Sequence, residues 1–161
     1  MSALKKAVAA KPKDVGVQVD AFIDKFEAPM AKRIREVRAA LRKRFPTAIE
    51  LVYDNYNFFV IGYSPTEKPT DYIVSLAANS KGVGLSFNHG ADLEDPHGIL
   101  EGSGAQNRFV RLVDGAKTLK HPQVAALIDA AVENSGKPFP KERGFTVVRS
   151  ISEKQRPRRS G

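Results

Sequence analysis

The hydrophobic period of this chain changes at Pro46, and that change constrains the fold more than any other feature. Before Pro46, large apolar residues recur three and four positions apart, which is the spacing of one helix face. They form two groups: Val19, Phe22, Ile23 and Phe26, then Met30, Ile34, Val37, Leu41 and Phe45. Asp14 is a candidate cap for the first helix, and Pro29 and Pro46 mark the two helix ends. The sequence therefore predicts two N-terminal helices, the second over about 29–45.

After Pro46 the period becomes two, which is the spacing of β-strands. Turn signals such as Asp54-Asn55 and Asn79-Ser80-Lys81-Gly82 separate the candidate strands. These strands cover about 49–53, 58–63, 72–76, 83–87 and 109–113, and FTVVRS near residue 145 fits a short extra strand. Pro122 opens a last helix, and Gly136 stops it. The order predicts an α+β fold: a mostly antiparallel sheet of about five strands, with two N-terminal helices and one C-terminal helix packed on it.

The length of 161 residues suits one domain, and 42% hydrophobic residues suffice for its core. The chain has no cysteine, which excludes disulfides, thiolate metal sites and a thiol nucleophile. No apolar run reaches the roughly 20 residues of a membrane span, and the N-terminus lacks the apolar core of a secretory signal. We therefore expect a cytoplasmic protein with one domain over 14–150, a flexible basic arm over 1–13 and a flexible basic tail over 151–161.

The formal net charge of +8 comes from basic ends around an acidic middle. The second predicted helix carries seven cations between Lys32 and Arg44. Clustered cations can neutralise phosphates, so one hypothesis is a nucleic-acid-associated module that uses Lys32, Arg35, Arg38 and Arg42. A solvated helix face explains the same pattern, and no helix-turn-helix or RNA-binding motif accompanies it.

Ligand-type side chains cluster in the long segment before the fifth predicted strand. They are His89, Asp92, Glu94, Asp95, His97 and Glu101. Imidazole and carboxylate ligands suit Fe(II) or another divalent metal, so a second hypothesis is a metal site in this loop. The spacing matches no stereotyped metal motif, and the same acids are typical of turns and caps in a solvated loop.

A third hypothesis is a small-ligand pocket, or an unrecognised enzyme, beside the same loop. Aromatic rings, flexible glycines and an arginine are the components of such a site. The candidates are Tyr53, Phe58, Phe87, Gly102, Gly104 and Arg108. The Gly-rich run precedes a strand instead of opening a helix, so it is not a dinucleotide fingerprint. Ser86, His89 and Asp92 lack a nucleophile elbow, and we expect binding rather than catalysis.

The segment FNHGADLEDPHGILEGSGAQNRFVRL, residues 87–112, resembles the signature of the YdhG-like family of small bacterial proteins. The matching positions are Gly90, Leu93, Asp95-Pro96, Gly98, Leu100-Glu101-Gly102, Gly104 and Arg108. The upstream stretch AIELVYDNYNFFV, with Glu50, Tyr53 and Phe58, is also similar, and the resemblance covers about residues 17–133. It implies an α+β domain of unknown function that has been likened to frataxin-type iron chaperones, and it implies no set of catalytic residues.

Together the residues and the resemblance predict a non-enzymatic YdhG-like binding protein of unknown ligand. The first expectation is weak handling of iron or another divalent metal through the acidic-histidine loop, with a partner that receives the metal. The nucleic-acid module and the small-ligand pocket remain open as alternatives. We expect a monomer or a small homo-oligomer.

Overall fold

The computed structural model describes residues 4–5 and 12–160. Over these residues the chain forms four α-helices and a seven-stranded sheet, joined by 3₁₀ turns at Pro69–Asp71 and Gly90–Asp92. The helices are α1 (Pro12–Ile23), α2 (Ala28–Arg44), α3 (Ala116–Leu119) and α4 (Pro122–Ser135). The strands are β1 (Leu4–Lys5), β2 (Ile49–Asp54), β3 (Phe59–Ser64), β4 (Val74–Asn79), β5 (Gly82–Phe87), β6 (Arg108–Arg111) and β7 (Thr146–Ser152). The predicted α+β class, with N-terminal helices and a C-terminal helix, is confirmed.

The sheet is antiparallel except at one pair. Its strands lie in the order β1-β7-β2-β3-β4-β5-β6, and only β2 and β7 run parallel to each other. The structure therefore has two strands beyond the five predicted: β7, which covers the extra strand expected near residue 145, and β1, which was not expected. Pairing between β2 and β7 joins residues about a hundred positions apart, as in Leu51 with Val147. Local alternation predicts that a strand forms, but it does not identify such a distant partner.

Helix α2 forms as the apolar stripe predicts. Its observed span ends within one residue of the predicted one on each side, and Pro29 lies in its first turn, where a missing N–H costs nothing. Ala31, Ile34, Val37 and Leu41 are buried. Three cations occupy the last turn, where they face the negative end of the helix dipole. Within the described part of the chain, no helix combines the length and hydropathy needed to cross a bilayer.

One face of the sheet packs against the helices and forms the core. Phe59, Ile61 and Tyr63 of β3 belong to the same buried cluster as the apolar faces of α1, α2 and α4. The register pairs Asp54 with Phe59 and Glu50 with Tyr63, so both carboxylates lie on this buried side. Glu50 is 3% exposed and Asp54 is fully buried. Two buried acids on one strand require compensating partners, because an unpaired charge is costly inside a protein.

Residues of the predicted arm and tail also take part in the described fold. Of the predicted arm, residues 1–3 and 6–11 lie outside the described residues, whereas Leu4–Lys5 pair with β7 and α1 starts two residues before Asp14. The predicted tail continues β7 to Ser152, and residues 155–160 bond to the domain. Among these bonds, Arg158 pairs with Asp54, 104 residues earlier, which basic composition alone does not reveal.

Candidate functional site

The structure separates the six residues of the metal hypothesis into three places. His89 and Asp92 line a cleft of about 370 Å³ beside the end of α4. Glu94, Asp95 and His97 line a separate groove along α4, and Glu101 pairs with Arg111 at the sheet edge. Among the described residues, no group of three or more His, Asp or Glu side chains is placed to hold a metal ion. Within residues 4–5 and 12–160, the six residues of the metal hypothesis therefore do not form one ligand set.

Asp95 shows what one of these acids does in the fold. Its two carboxylate oxygens accept the backbone N–H groups of Ile99, at 3.0 Å, and Leu100, at 2.9 Å. Such side-chain-to-backbone bonds close turns. Asp95 therefore orders the loop that carries the sequence resemblance, which agrees with the turn interpretation of this acid.

The residues of the predicted small-ligand pocket do not come together either. Tyr53 lies on β2 and Arg108 on β6, with three strands between them. Phe87 is fully buried in the core, whereas Phe58 is 42% exposed in the β2–β3 turn. The remaining two, Gly102 and Gly104, are exposed at the far edge, where Arg108 donates to the carbonyl oxygen of Gly104. Arg108 therefore hydrogen-bonds to the backbone of its own loop and does not line a pocket with Tyr53.

The predicted basic face of α2 is divided between surface and interior. Arg35 pairs with Asp24 at 2.7 Å, and its groove of about 630 Å³ also includes Lys32. Arg38 points inward and forms a bidentate pair with Glu50. Arg42 lies 3.9 Å from the same carboxylate. Among the described residues, the nucleic-acid hypothesis therefore retains Lys32 as a cation without an acidic partner within 4 Å, while Arg35, Arg38 and Arg42 each have one.

A different set of residues meets at the C-terminal end of α2. The segment 141–146 runs along the turn between α2 and β2, and the N–H of Gly144 donates to the carbonyl oxygen of Pro46 at 3.0 Å. A Cβ at position 144 would overlap the carbonyl oxygen of Ala48, so only glycine permits this approach. Between the segment and the helix end lies a cleft of about 490 Å³, which we call the basic cleft.

The inner end of the basic cleft is a buried carboxylate with four hydrogen-bond donations. Glu50 accepts the Nε of Arg38 at 3.1 Å and its Nη2 at 2.9 Å. The hydroxyl of Tyr63 donates to the Oε2 of Glu50 at 2.8 Å, and the hydroxyl of Thr146 donates to its Oε1 at 2.7 Å. The network joins α2, β2, β3 and β7, so the inner end is fixed by four elements of the fold.

This network sets the protonation state of its members. Burial alone would raise the pKa of Glu50, but the hydrogen bonds and charge of Arg38, helped by Thr146 and Tyr63, outweigh burial and hold that pKa below its ordinary value. Burial, and then the charge of Glu50, raise the pKa of Tyr63 well above its ordinary value. At neutral pH the inner end therefore holds an ionised carboxylate and a protonated phenol, with Arg38 balancing the charge.

The rim of the basic cleft carries four cations: Arg42, Lys43, Lys141 and Arg143. All four are exposed. Within the described residues, Lys43, Lys141 and Arg143 have no acidic partner within 4 Å, and the nearest acid to Arg42 is Glu50. Because Arg38 already neutralises Glu50, the cleft presents excess positive charge to whatever enters it.

Sequence reasoning missed Tyr63, Thr146, Lys141 and Arg143 as members of one site. One signal was present: Glu50 is a charged residue inside a mostly apolar strand, IELVYD, and a buried acid requires a partner. The partners come from β3, α2 and β7, which only the tertiary pairing brings together. No local motif encodes the cleft.

Glu50 lies in one of the two stretches that carry the YdhG-like resemblance, whereas Lys141, Arg143 and Thr146 lie beyond the region of resemblance. The resemblance remains a prediction, since no family model, no curated protein and no solved structure matches the chain.

Proposed function

We propose that this protein binds a small phosphate-bearing molecule in the basic cleft. The observation that carries the proposal is the set of rim cations without acidic partners, Lys43, Lys141 and Arg143, above an inner end whose charge is balanced. Guanidinium and ammonium groups bind phosphate oxygens through charge-assisted hydrogen bonds, and arginine can do so through two parallel bonds. The cleft volume of about 490 Å³ is in the range of ligand sites.

The electrostatics of the cleft favour an anion over a metal cation. The one carboxylate that lines it, Glu50, already accepts four donations and has no free direction to offer a metal. The rim cations would also repel a metal ion. This supports anion binding in preference to the expected metal handling.

The same network supports binding rather than catalysis. A general base needs an available lone pair near the proton that it abstracts. The hydrogen bonds of Arg38, Tyr63 and Thr146 engage both oxygens of Glu50. Its role in the proposal is to position the walls of the cleft.

Calorimetric titration with inorganic pyrophosphate tests the proposal. The wild-type chain is compared with the double variant Lys141→Gln/Arg143→Gln, which removes two rim cations. The control is Lys81→Gln/Lys120→Gln, which changes the net charge equally at exposed residues that do not line the cleft. We expect the rim variant to bind at least about tenfold more weakly than the control, because each lost charge-assisted bond contributes about 1.5–3 kcal/mol.

Equal weakening by both variants would show that pyrophosphate senses only the overall charge, and this would overturn the cleft as the site. Absence of saturable binding to the wild-type chain would have the same effect. An oligonucleotide that binds while pyrophosphate does not would favour the nucleic-acid hypothesis in its place, with affinity that falls steeply as salt rises.

A further inference from the structure

Residues 153–160 lie against the domain at the end of the sheet where β2 turns into β3. We call residues 153–160 the C-terminal segment. Its backbone bonds to the β2–β3 turn, where the N–H of Arg156 donates to the carbonyl oxygen of Tyr56 at 2.8 Å. Gln155 donates to the carbonyl oxygen of Asp54, and Ser160 donates to the carboxylate of Glu27. The segment therefore spans from β2 to the loop between α1 and α2.

One side chain of this segment is buried. The Nη2 of Arg158 donates to the Oδ1 of Asp54 at 2.9 Å and to the carbonyl oxygen of Asn55 at 2.6 Å, and its guanidinium lies 5.9 Å from the ring centre of Phe26. The side chains of Arg158 and Asp54 are 3% and 0% exposed. A buried carboxylate, a carbonyl oxygen and an aromatic ring are the groups that recognise arginine. We call these three groups the arginine slot.

The fit of Arg158 in the arginine slot is incomplete. Its Nε and Nη1 are buried, and among the described residues neither has a hydrogen-bond acceptor. Buried donors without acceptors cost free energy that a fully matched pair would not. Lys25 also binds Asp54, at 2.6 Å, so two cations share one carboxylate. Both features weaken the hold of the slot on its own arginine.

The domain can also tolerate departure of the segment. When Arg158 leaves, Asp54 keeps its ion pair with Lys25 and is not stranded as an unpaired buried charge. The neighbours Arg156, Pro157, Arg159 and Ser160 are exposed, so release uncovers little besides the slot. The one buried side chain of the segment is imperfectly matched, and its other bonds are made by exposed or half-buried residues, so the segment is a displaceable ligand.

We propose that the arginine slot is a recognition site for an arginine carried by a basic peptide, and that the C-terminal segment occupies it as an intramolecular ligand. The partner class is a basic peptide in which one arginine enters the slot. A following basic residue donates to the carbonyl oxygens of Asp24 and Lys25, as Arg159 does here, and the next residue donates to the carboxylate of Glu27, as Ser160 does. This site is independent of the basic cleft and does not rest on the function proposed for it.

Peptide binding to the full chain with Arg158→Ala tests the proposal. The probe is a fluorescent peptide with the sequence of residues 152–161, followed by anisotropy. The matched control peptide has alanine in place of the arginine that corresponds to Arg158. We expect the variant chain to bind the arginine peptide at least about tenfold more tightly than the wild-type chain does. In the wild-type chain the segment competes at an effective concentration in the millimolar range.

The alanine peptide should bind the variant at least tenfold more weakly than the arginine peptide. Equal affinity for the two peptides, or no binding to a variant that keeps its folded ¹⁵N spectrum, would overturn the proposal.

Hydrogen exchange of the wild-type chain gives a second test that requires no variant. The amide of Arg156 donates to Tyr56, and the amide of Glu50 donates to Phe145, each at 2.8 Å. Local release of the segment predicts exchange at least about a hundredfold faster at Arg156 than at Glu50. Equal protection of both amides would show that the segment opens only when the whole domain unfolds, and it would contradict the proposal.

Discussion

Arg35 and Arg38 lie on neighbouring turns of α2, yet their ion pairs contribute differently to stability because one is exposed and the other is buried. Arg35 and Asp24 have side chains that are 41% and 68% exposed, so water screens their attraction. The side chains of Arg38 and Glu50 are 14% and 4% exposed. The sequence shows seven cations on this helix and does not distinguish them, because the distinction depends on which strand each cation faces.

Removal of Arg38 should therefore destabilise the protein far more than removal of Arg35. We expect Arg38→Ala to lower the free energy of unfolding by about 3–5 kcal/mol, since it leaves Glu50 as an uncompensated buried charge. Arg35→Ala should cost less than about 1 kcal/mol. Urea denaturation of the two variants measures both values, and similar losses would contradict the assignment of Glu50 as buried and paired.

The lowered pKa of Glu50 predicts a pH dependence of stability. A carboxyl group whose pKa is lower in the folded than in the unfolded state contributes stability above its unfolded pKa, about 4.3, and that contribution is lost as pH falls through the folded pKa. The difference in unfolding free energy between the wild-type chain and Glu50→Gln should therefore narrow below about pH 4. The exposed Glu36, replaced by Gln, is the control. A difference that stays constant from pH 7 to pH 3 would refute the linkage.

At the scale of secondary-structure elements, local patterns predicted most of the fold. The boundaries of α2 and the start of α4 at Pro122 follow from apolar stripes and prolines, which act within a few residues. The main omission is the parallel pairing of β7 with β2, since it depends on contacts about a hundred residues apart. That pairing brings Thr146 to Glu50 and the segment 141–145 to the end of α2. The strand whose pairing local patterns do not predict, β7, is thus the one that completes the basic cleft.

The wall of the basic cleft depends on Gly144, and substitution there should damage both stability and binding. A Cβ at this position would overlap the carbonyl oxygen of Ala48, so the segment 141–145 must move away in Gly144→Ala. We expect a loss of about 1–3 kcal/mol in unfolding free energy, as for other overpacked sites, and weaker pyrophosphate binding. Gly82→Ala is the control, because a Cβ there meets nothing within 4 Å. Thermal denaturation that ranks the two variants equally would contradict the close approach.

At the scale of the whole molecule, the charge distribution differs from its linear pattern. The sequence shows basic ends around an acidic middle, with a net charge of +8. In the folded chain, Arg38 pairs with Glu50 and Arg158 pairs with Asp54, so both buried acids of β2 have a basic partner. The cations that remain without acidic partners include three at the rim of the basic cleft. Side-chain chemistry was visible in the sequence, but which charges cancel was decided by tertiary packing.

The exposed rim predicts that ligand binding responds to salt. Because the rim cations are exposed, their attraction for pyrophosphate is screened as the Debye length falls from about 10 Å at 0.1 M to about 3 Å at 1 M ionic strength. We expect the calorimetric affinity to weaken steadily over this range, whereas the unfolding cost of Arg38→Ala should change little, since that pair is buried. Salt-independent pyrophosphate affinity would argue against binding by the rim.

The most direct test of the central claim is a pyrophosphate titration of the ¹⁵N-labelled chain, read residue by residue. Binding in the basic cleft predicts saturable shifts concentrated at the amides of Lys43, Thr47, Gly144 and Thr146. Shifts centred on the loop from His89 to Glu101, or spread evenly over the basic surface, would contradict the assignment of the cleft as the ligand site.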